Sequence, residues 1–211
     1  MLNNIRVSTK KELINQISTQ NPSERLVNSI KKIHTLKKII KEIPLEFKLW
    51  LLGKGYSQFA NDCDWKKLTG EEWRLLLVEQ PQYSIICESD DWDKLSGWDW
   101  SFLLSKQPQF YLYARWDKFI GWDWCFFLSV QPYFLSFCNL DSMDGLEWGI
   151  LLSNRPEFFC YCPLEKLSGK HWEIFISKQP QFSEFCPWWK LNEDDWKSLI
   201  SFQPHLEKFK K

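Results

Sequence analysis

The chain has 211 residues, 27 basic and 27 acidic, so its formal net charge is zero, and it is unusually rich in large rings, with 14 Trp and 16 Phe. No 18-residue apolar run occurs, which excludes a transmembrane helix, and the N-terminus shows neither the apolar stretch nor the small-residue cleavage site of a secretory signal, so a cytoplasmic location is expected. The zero average hides a division, because residues 1–60 carry eleven basic and four acidic groups (net +7), whereas residues 61–211 carry sixteen and twenty-three (net −7).

From the N-terminus, Ser8 or Thr9 can cap a first helix, and Asn21-Pro22-Ser23 interrupts the chain before a second run. In that run Leu26, Ile30, Ile33, Leu36 and Ile40 share one helical face, with Lys31, Lys32, Lys37, Lys38 and Lys41 largely elsewhere. Residues 1–46 therefore read as a basic helical segment. Phe47 to Cys63 reads as a degraded copy of the repeat that follows, in which Phe59 keeps an aromatic and Ser57 replaces a proline. Terminal units of a stacked array must present a polar outer face, so 47–63 is expected to cap an array running to residue 211.

The array itself is marked by six anchors, Trp73, Trp100, Trp124, Trp148, Trp172 and Trp196, at intervals of 27, 24, 24, 24 and 24 residues. Each is followed eight positions later by proline: Pro81, Pro108, Pro132, Pro156, Pro180 and Pro204. A fixed period of this length is the signature of a solenoid, in which one small unit is copied and stacked. Four positions before the anchor stand the helix caps Thr69, Ser96, Asp144, Ser168 and Asn192; only Ile120 departs. Glu72, Asp99, Glu147 and Asp195 lie three residues beyond the caps, where a carboxylate completes a capping box or favours the helix dipole. Gly70, Gly97, Gly121, Gly145 and Gly169 follow the caps and are expected to admit the preceding loop closely.

A helix of about ten residues is predicted from each cap, with the anchor and the residues three and four later forming one apolar face. Proline ends it by pushing the preceding residue out of the helical region, and opens a second, shorter segment of α or 3-10 type. Each unit is thus helix, short helix and loop, and the fold class is an all-α solenoid. The three extra residues between units one and two fall in the Glu88–Asp91 loop. Gln80, Gln107, Gln131, Gln179 and Gln203, with Arg155 in unit four, form a polar column before the prolines that suits capping of free carbonyls or bonding to the next loop.

The run DWDKLSGWDWSFLLSKQPQF, from Asp91 to Phe110, with its W–x₇–P spacing, resembles the Trp-rich tandem repeats of uncharacterised bacterial and phage proteins. Its period is similar to that of leucine-rich variant repeats, which alternate an α-helix with a 3-10 segment. The resemblance covers about 150 residues and implies no catalytic or binding residue.

Cys63, Cys87, Cys138, Cys162 and Cys186 share one column, with Ala114 in the same slot. Units stacked about 9–10 Å apart are too distant for a disulfide, which needs Cα atoms within ~7 Å, so buried free thiols are expected. Of the three histidines, His171 occupies the carboxylate column and is expected to be a solvated surface residue. No convergent zinc ligands, phosphate loop, nucleophile elbow or HExxH motif is present, so the chain reads as a non-enzyme without metal or cofactor.

Two columns change character along the array. Two residues before the anchor the series is Glu71, Trp98, Trp122, Leu146, Lys170, Asp194, and eleven residues after it Ser84, Tyr111, Leu135, Phe159, Ser183, Glu207. Both are apolar in units two to four and polar at the ends, the pattern of an interface with a polar rim. Trp98, Trp122, Leu146, Tyr111, Leu135 and Phe159 are therefore the candidate contacts of a protein partner, in an adaptor or inhibitor; self-association, or cover by another part of the chain, are the competing explanations. A second function is nucleic-acid association, or contact with an acidic partner, through Lys31, Lys32, Lys37, Lys38 and Lys41, opposed by the acidic array.

Overall fold

The computed structural model describes Lys32, Lys38 and residues 42–210. The caps at Ser8 or Thr9, and the helices expected over 9–43 apart from a few positions, lie outside the described residues. The chain divides into two compact units between Asp64 and Trp65, so that 47–63 belongs to the first. There, α1 (Leu45–Gly53) follows Pro44 and is succeeded by a 3-10 segment, Ser57–Asp62. The buried Lys48 donates from Nζ to the Asp62 carbonyl oxygen at 3.1 Å, tying the helix to the 3-10 segment. The degraded copy thus keeps the helix-then-3-10 order of the repeat.

The second unit is an all-α array. Its principal helices are α2 (Gly70–Glu79), α4 (Gly97–Lys106), α5 (Gly121–Val130), α6 (Gly145–Asn154), α7 (Gly169–Lys178) and α8 (Glu193–Phe202), with a short α3 (Ser89–Trp92) before the second. Each principal helix packs against the next. One residue after each, a six-residue 3-10 segment opens on the repeat proline. The intervening Gln or Arg sits near φ −130° and ψ 70°, outside the helical region, as the proline that follows requires.

Reciprocal capping boxes close α2, α4, α6, α7 and α8. In α4 the Ser96 hydroxyl accepts from the Asp99 N–H at 3.1 Å, and Asp99 accepts from the Ser96 N–H at 3.0 Å. His171 fills the carboxylate's place in α7, its Nδ1 accepting from the Ser168 N–H at 3.2 Å; it is half-buried, not the solvated residue its ionisable side chain suggested. Only half a box exists at α5, where Asp123 accepts from the Ile120 N–H at 3.0 Å while the Ile120 side chain has nothing to return. Ile120→Ser would complete it, and an increase in unfolding free energy of about 1 kcal/mol is expected by chemical denaturation.

Stacking is specified by backbone contact. A Cβ built on Gly145 would lie 2.2 Å from the Lys166 carbonyl oxygen, and one on Gly169 would lie 2.1 Å from that of Lys190. The glycines therefore admit the linker of the following unit, the reverse of the expected direction. In unit six the column holds Glu193 instead of glycine. The polar column caps backward: Gln107, Gln179 and Gln203 donate from Nε2 to the carbonyls of Val78, Ser153 and Ser177 at 2.8–2.9 Å, and Arg155 from Nε to Ser129 at 2.7 Å. Each satisfies a carbonyl that the preceding helix leaves open.

A lysine column reinforces the joint. Lys118, Lys166 and Lys190 each donate from Nζ at 2.9 Å to the carbonyls of Leu95, Met143 and Leu167 in the preceding linkers. The three extra residues form α3 instead of an open loop, and Asp91 in it accepts from the Trp73 indole N–H at 3.3 Å and from Lys94 Nζ at 2.7 Å. Burial works to raise the Asp91 carboxyl, but these bonds and that from the Glu88 N–H outweigh it and hold the group below its ordinary value.

Inside, anchor and linker tryptophans stack. Trp100 lies 5.5 Å from Trp92, which stacks 5.0 Å from Tyr113; Trp196, Trp188 and Phe209 repeat the sandwich at 5.2 and 4.9 Å. All six anchors are buried.

Candidate functional surface

Helical geometry turns positions two before and two after the anchor away from the core, because each lies about half a turn from it. On this outer face Trp98 and Trp122 are 49% and 47% exposed. The Trp98 ring lies 5.1 Å from Phe126 in the next unit and 6.2 Å from Phe102 in its own helix. Phe102 and Phe126 are parallel at 6.2 Å, and the Arg74 guanidinium stands 5.0 Å over Phe102. An aromatic belt thus joins α4 and α5, with the Arg74 guanidinium of α2 over its edge. Leu146 and Ile150 extend it onto α6 as half-buried side chains.

Charged networks close the belt at both ends. Arg74, itself buried, donates from Nε to Asp99 at 2.9 Å and pairs with Glu71 at 3.3 Å. At the far end Lys170 pairs with the buried Glu173 at 2.7 Å, and the Ser198 hydroxyl donates to Glu173 at 2.6 Å. The corresponding positions between them are Ser101, Cys125 and Gly149, small groups without charge.

The second candidate column lies elsewhere. Tyr111, Leu135 and Phe159 belong to the 3-10 segments, where side chains pack between units. Phe159 lies 4.9 Å from Phe182 and 5.2 Å from Phe185 of the next unit, and Tyr111 lies 5.9 Å from Phe134. The six residues read from the sequence as one patch are therefore distributed over two layers. Phe102 and Phe126, which complete the helical cluster, were not singled out, since their column is apolar in five units and resembles core. Lys32 and Lys38 are exposed; Lys31, Lys37 and Lys41 lie outside the described residues.

Beneath the outer face runs an axis of buried acids, Asp99, Asp123, Glu147 and Asp195. Burial pushes the carboxyls of Asp123 and Glu147 up, against the hydrogen bonds each accepts from its cap N–H, and neighbouring acids add to the rise. Every cysteine is a free thiol. Burial raises Cys87, Cys125, Cys138, Cys162 and Cys186 to about 12, values at which a thiol is an inert filler. Cys160 alone among the seven is exposed. Among the described residues no three His, Cys, Asp or Glu side chains converge as a metal site, and no helix is long and apolar enough to cross a membrane. No family model, curated protein or solved structure matches the chain.

Proposed function

We propose that the array is a non-catalytic protein-binding module, an adaptor or an inhibitor, whose contact surface is the outer face of α4 and α5. One observation carries this reading. Helix α5 has no exposed charge in its ten residues, its single acid Asp123 being buried, and its cap position holds an Ile that is 62% exposed. A helix apolar on every side is ordinarily covered on every side, and giving up a capping hydroxyl to display an aliphatic side chain costs about 1 kcal/mol. Ile120, Trp98 and Trp122 lie on neighbouring turns, between the Arg74 and Glu173 networks, as an apolar centre between polar rims. Free buried thiols suit a reducing compartment, and the cytoplasm is the location proposed.

The double variant Trp98→Glu, Trp122→Glu tests this. In affinity purification from the native host it is expected to lose the wild-type partner at least ~tenfold, as removal of two central aromatic anchors does. Its melting temperature should stay close to wild type, because neither ring is core. Recovery of the same partner at the same yield would sink the proposal. A variant unable to fold would instead identify the face as one covered by the chain itself. Nucleic-acid association through the N-terminal lysines is the competing function, and steep salt-dependent retention of oligonucleotides by the full chain would carry it.

A further inference from the structure

We infer that the first turn of α5, which displays Ile120 and Trp122, is a proton-responsive element: it opens readily near neutral pH and is locked when Asp123 and Glu147 take up a proton. The inference adds a local dynamic property to the binding face and is tested independently of any partner.

The turn is built with less support than its equivalents. Its cap side chain accepts nothing, whereas caps in α2, α4, α6, α7 and α8 each accept an N–H from their first turn. Two carboxylates are pressed against it from two elements. Asp123, on the turn, is tied to the Ile120 N–H at 3.0 Å. Glu147, from α6, brings its Oε2 to within 2.0 Å of the Cβ position of Gly121, closer than any other atom there, while accepting from the Asp144 N–H at 2.8 Å. Both are almost wholly buried.

The surrounding charges do little to compensate. From α4 comes Asp99, already committed to Arg74, and from the cap of α6 comes Asp144. Lys118 and Lys166, on the two linkers, spend their ammonium protons on the carbonyls of Leu95 and Met143. Beyond α6, His171 leans on Gly145 and caps Ser168. Like charges that share a dry site disfavour joint ionisation, and the raised values of both groups agree with the geometry.

The sign follows directly. A carboxyl whose folded value is raised contributes stability that is fully present below its ordinary range and is lost as pH rises through the raised value. The turn is therefore tightest on the acid side and loosest near neutrality. At the start of α4 the Asp123 carboxylate approaches Gly97 in the same way, 2.3 Å from its Cβ position, but there Asp99 is paired with Arg74.

Amide hydrogen exchange of the full-length chain, corrected for intrinsic rates, reads this turn directly. Protection of the Ile120 and Trp124 amides, which donate to Asp123 and to the Ile120 carbonyl, is expected to rise at least ~threefold more between pH 7.5 and 5 than that of the Thr69 and Trp73 amides at the start of α2. Asp123→Asn and Glu147→Gln, each keeping an acceptor for its cap N–H, should show the high protection at both pH values. An equal pH response in α2 and α5, or one that persists in both variants, would overturn the inference. Should one variant fail to fold, the other decides. Loss of partner binding in Trp98→Glu, Trp122→Glu with the exchange pattern intact would separate the fate of the binding surface from that of the turn.

Discussion

Gly145→Ala is expected to destabilise the array by about 3 kcal/mol or more, although alanine is the better helix former by about 1 kcal/mol and also restricts the unfolded chain. The sign is decided by contact. The new methyl would lie 2.2 Å from the Lys166 carbonyl oxygen, a backbone atom held by the linker 3-10 turn Leu164–Lys166, so relief requires units four and five to separate. Gly121→Ala provides the graded comparison, because the three atoms nearest its methyl all belong to the Glu147 carboxylate, a side-chain end that can shift where a backbone carbonyl cannot, and about 1 kcal/mol is the loss to expect there. Unfolding in guanidinium measures both. A Gly145→Ala protein as stable as wild type would show that the units do not meet backbone to backbone.

That contact also shows how far the sequence could be read. Period, caps, helix length, proline stops and the 3-10 return were all legible, because each depends on residues within one unit. The direction of the glycine contact was not, because spacing alone does not say which neighbour approaches. A usable signal lay in Glu193: the glycine is replaced in unit six, which meets no later linker among the described residues. The lysines at 94, 118, 166 and 190 carried a signal too, a charged column conserved from unit to unit inside a linker, which a solvated residue has no reason to keep.

The surface was half legible for a different reason. Trp98 and Trp122 stand out because their column is charged at both ends, but Phe102 and Phe126 sit in a column that is apolar in most units. Only the packing, with Trp98 reaching across to Phe126, separates an outward aromatic from a core one. Tyr111 and Phe159 lie in a different layer, Tyr111 exposed and Phe159 half-buried. Their column also changes from apolar to polar, yet Phe159 is pressed between Phe175, Phe182 and Phe185, so there the change reflects packing between particular units. A column's variation identifies a departure from the repeat; burial decides whether the departure faces solvent.

Trp148→Ala should cost about 3–5 kcal/mol, the loss typical of a fully buried Trp, and should also change the form of unfolding. Trp148 is completely buried in unit four, where Leu140 takes the place of the stacking tryptophan, so no aromatic partner from the linker can collapse into the space. Its indole N–H, like those of Trp100, Trp124 and Trp172, is buried without an acceptor among the described residues, so truncation also removes an unsatisfied donor, which places the cost toward the lower end of that range. Because each principal helix packs on its sequence neighbours, stability is carried by a chain of nearest-neighbour interfaces. Weakening the middle of that chain removes the couplings on both sides of α6, and calorimetry should resolve two transitions where wild type shows one. Trp196→Ala removes an anchor of similar size from unit six, where among the described residues the interface with α7 is the only one with another unit to be lost. The expected result there is fraying of 188–209, seen as local loss of exchange protection, with the main transition nearly unmoved. Identical melting curves for the two variants would mean that the array unfolds as one indivisible block and that the nearest-neighbour description is wrong.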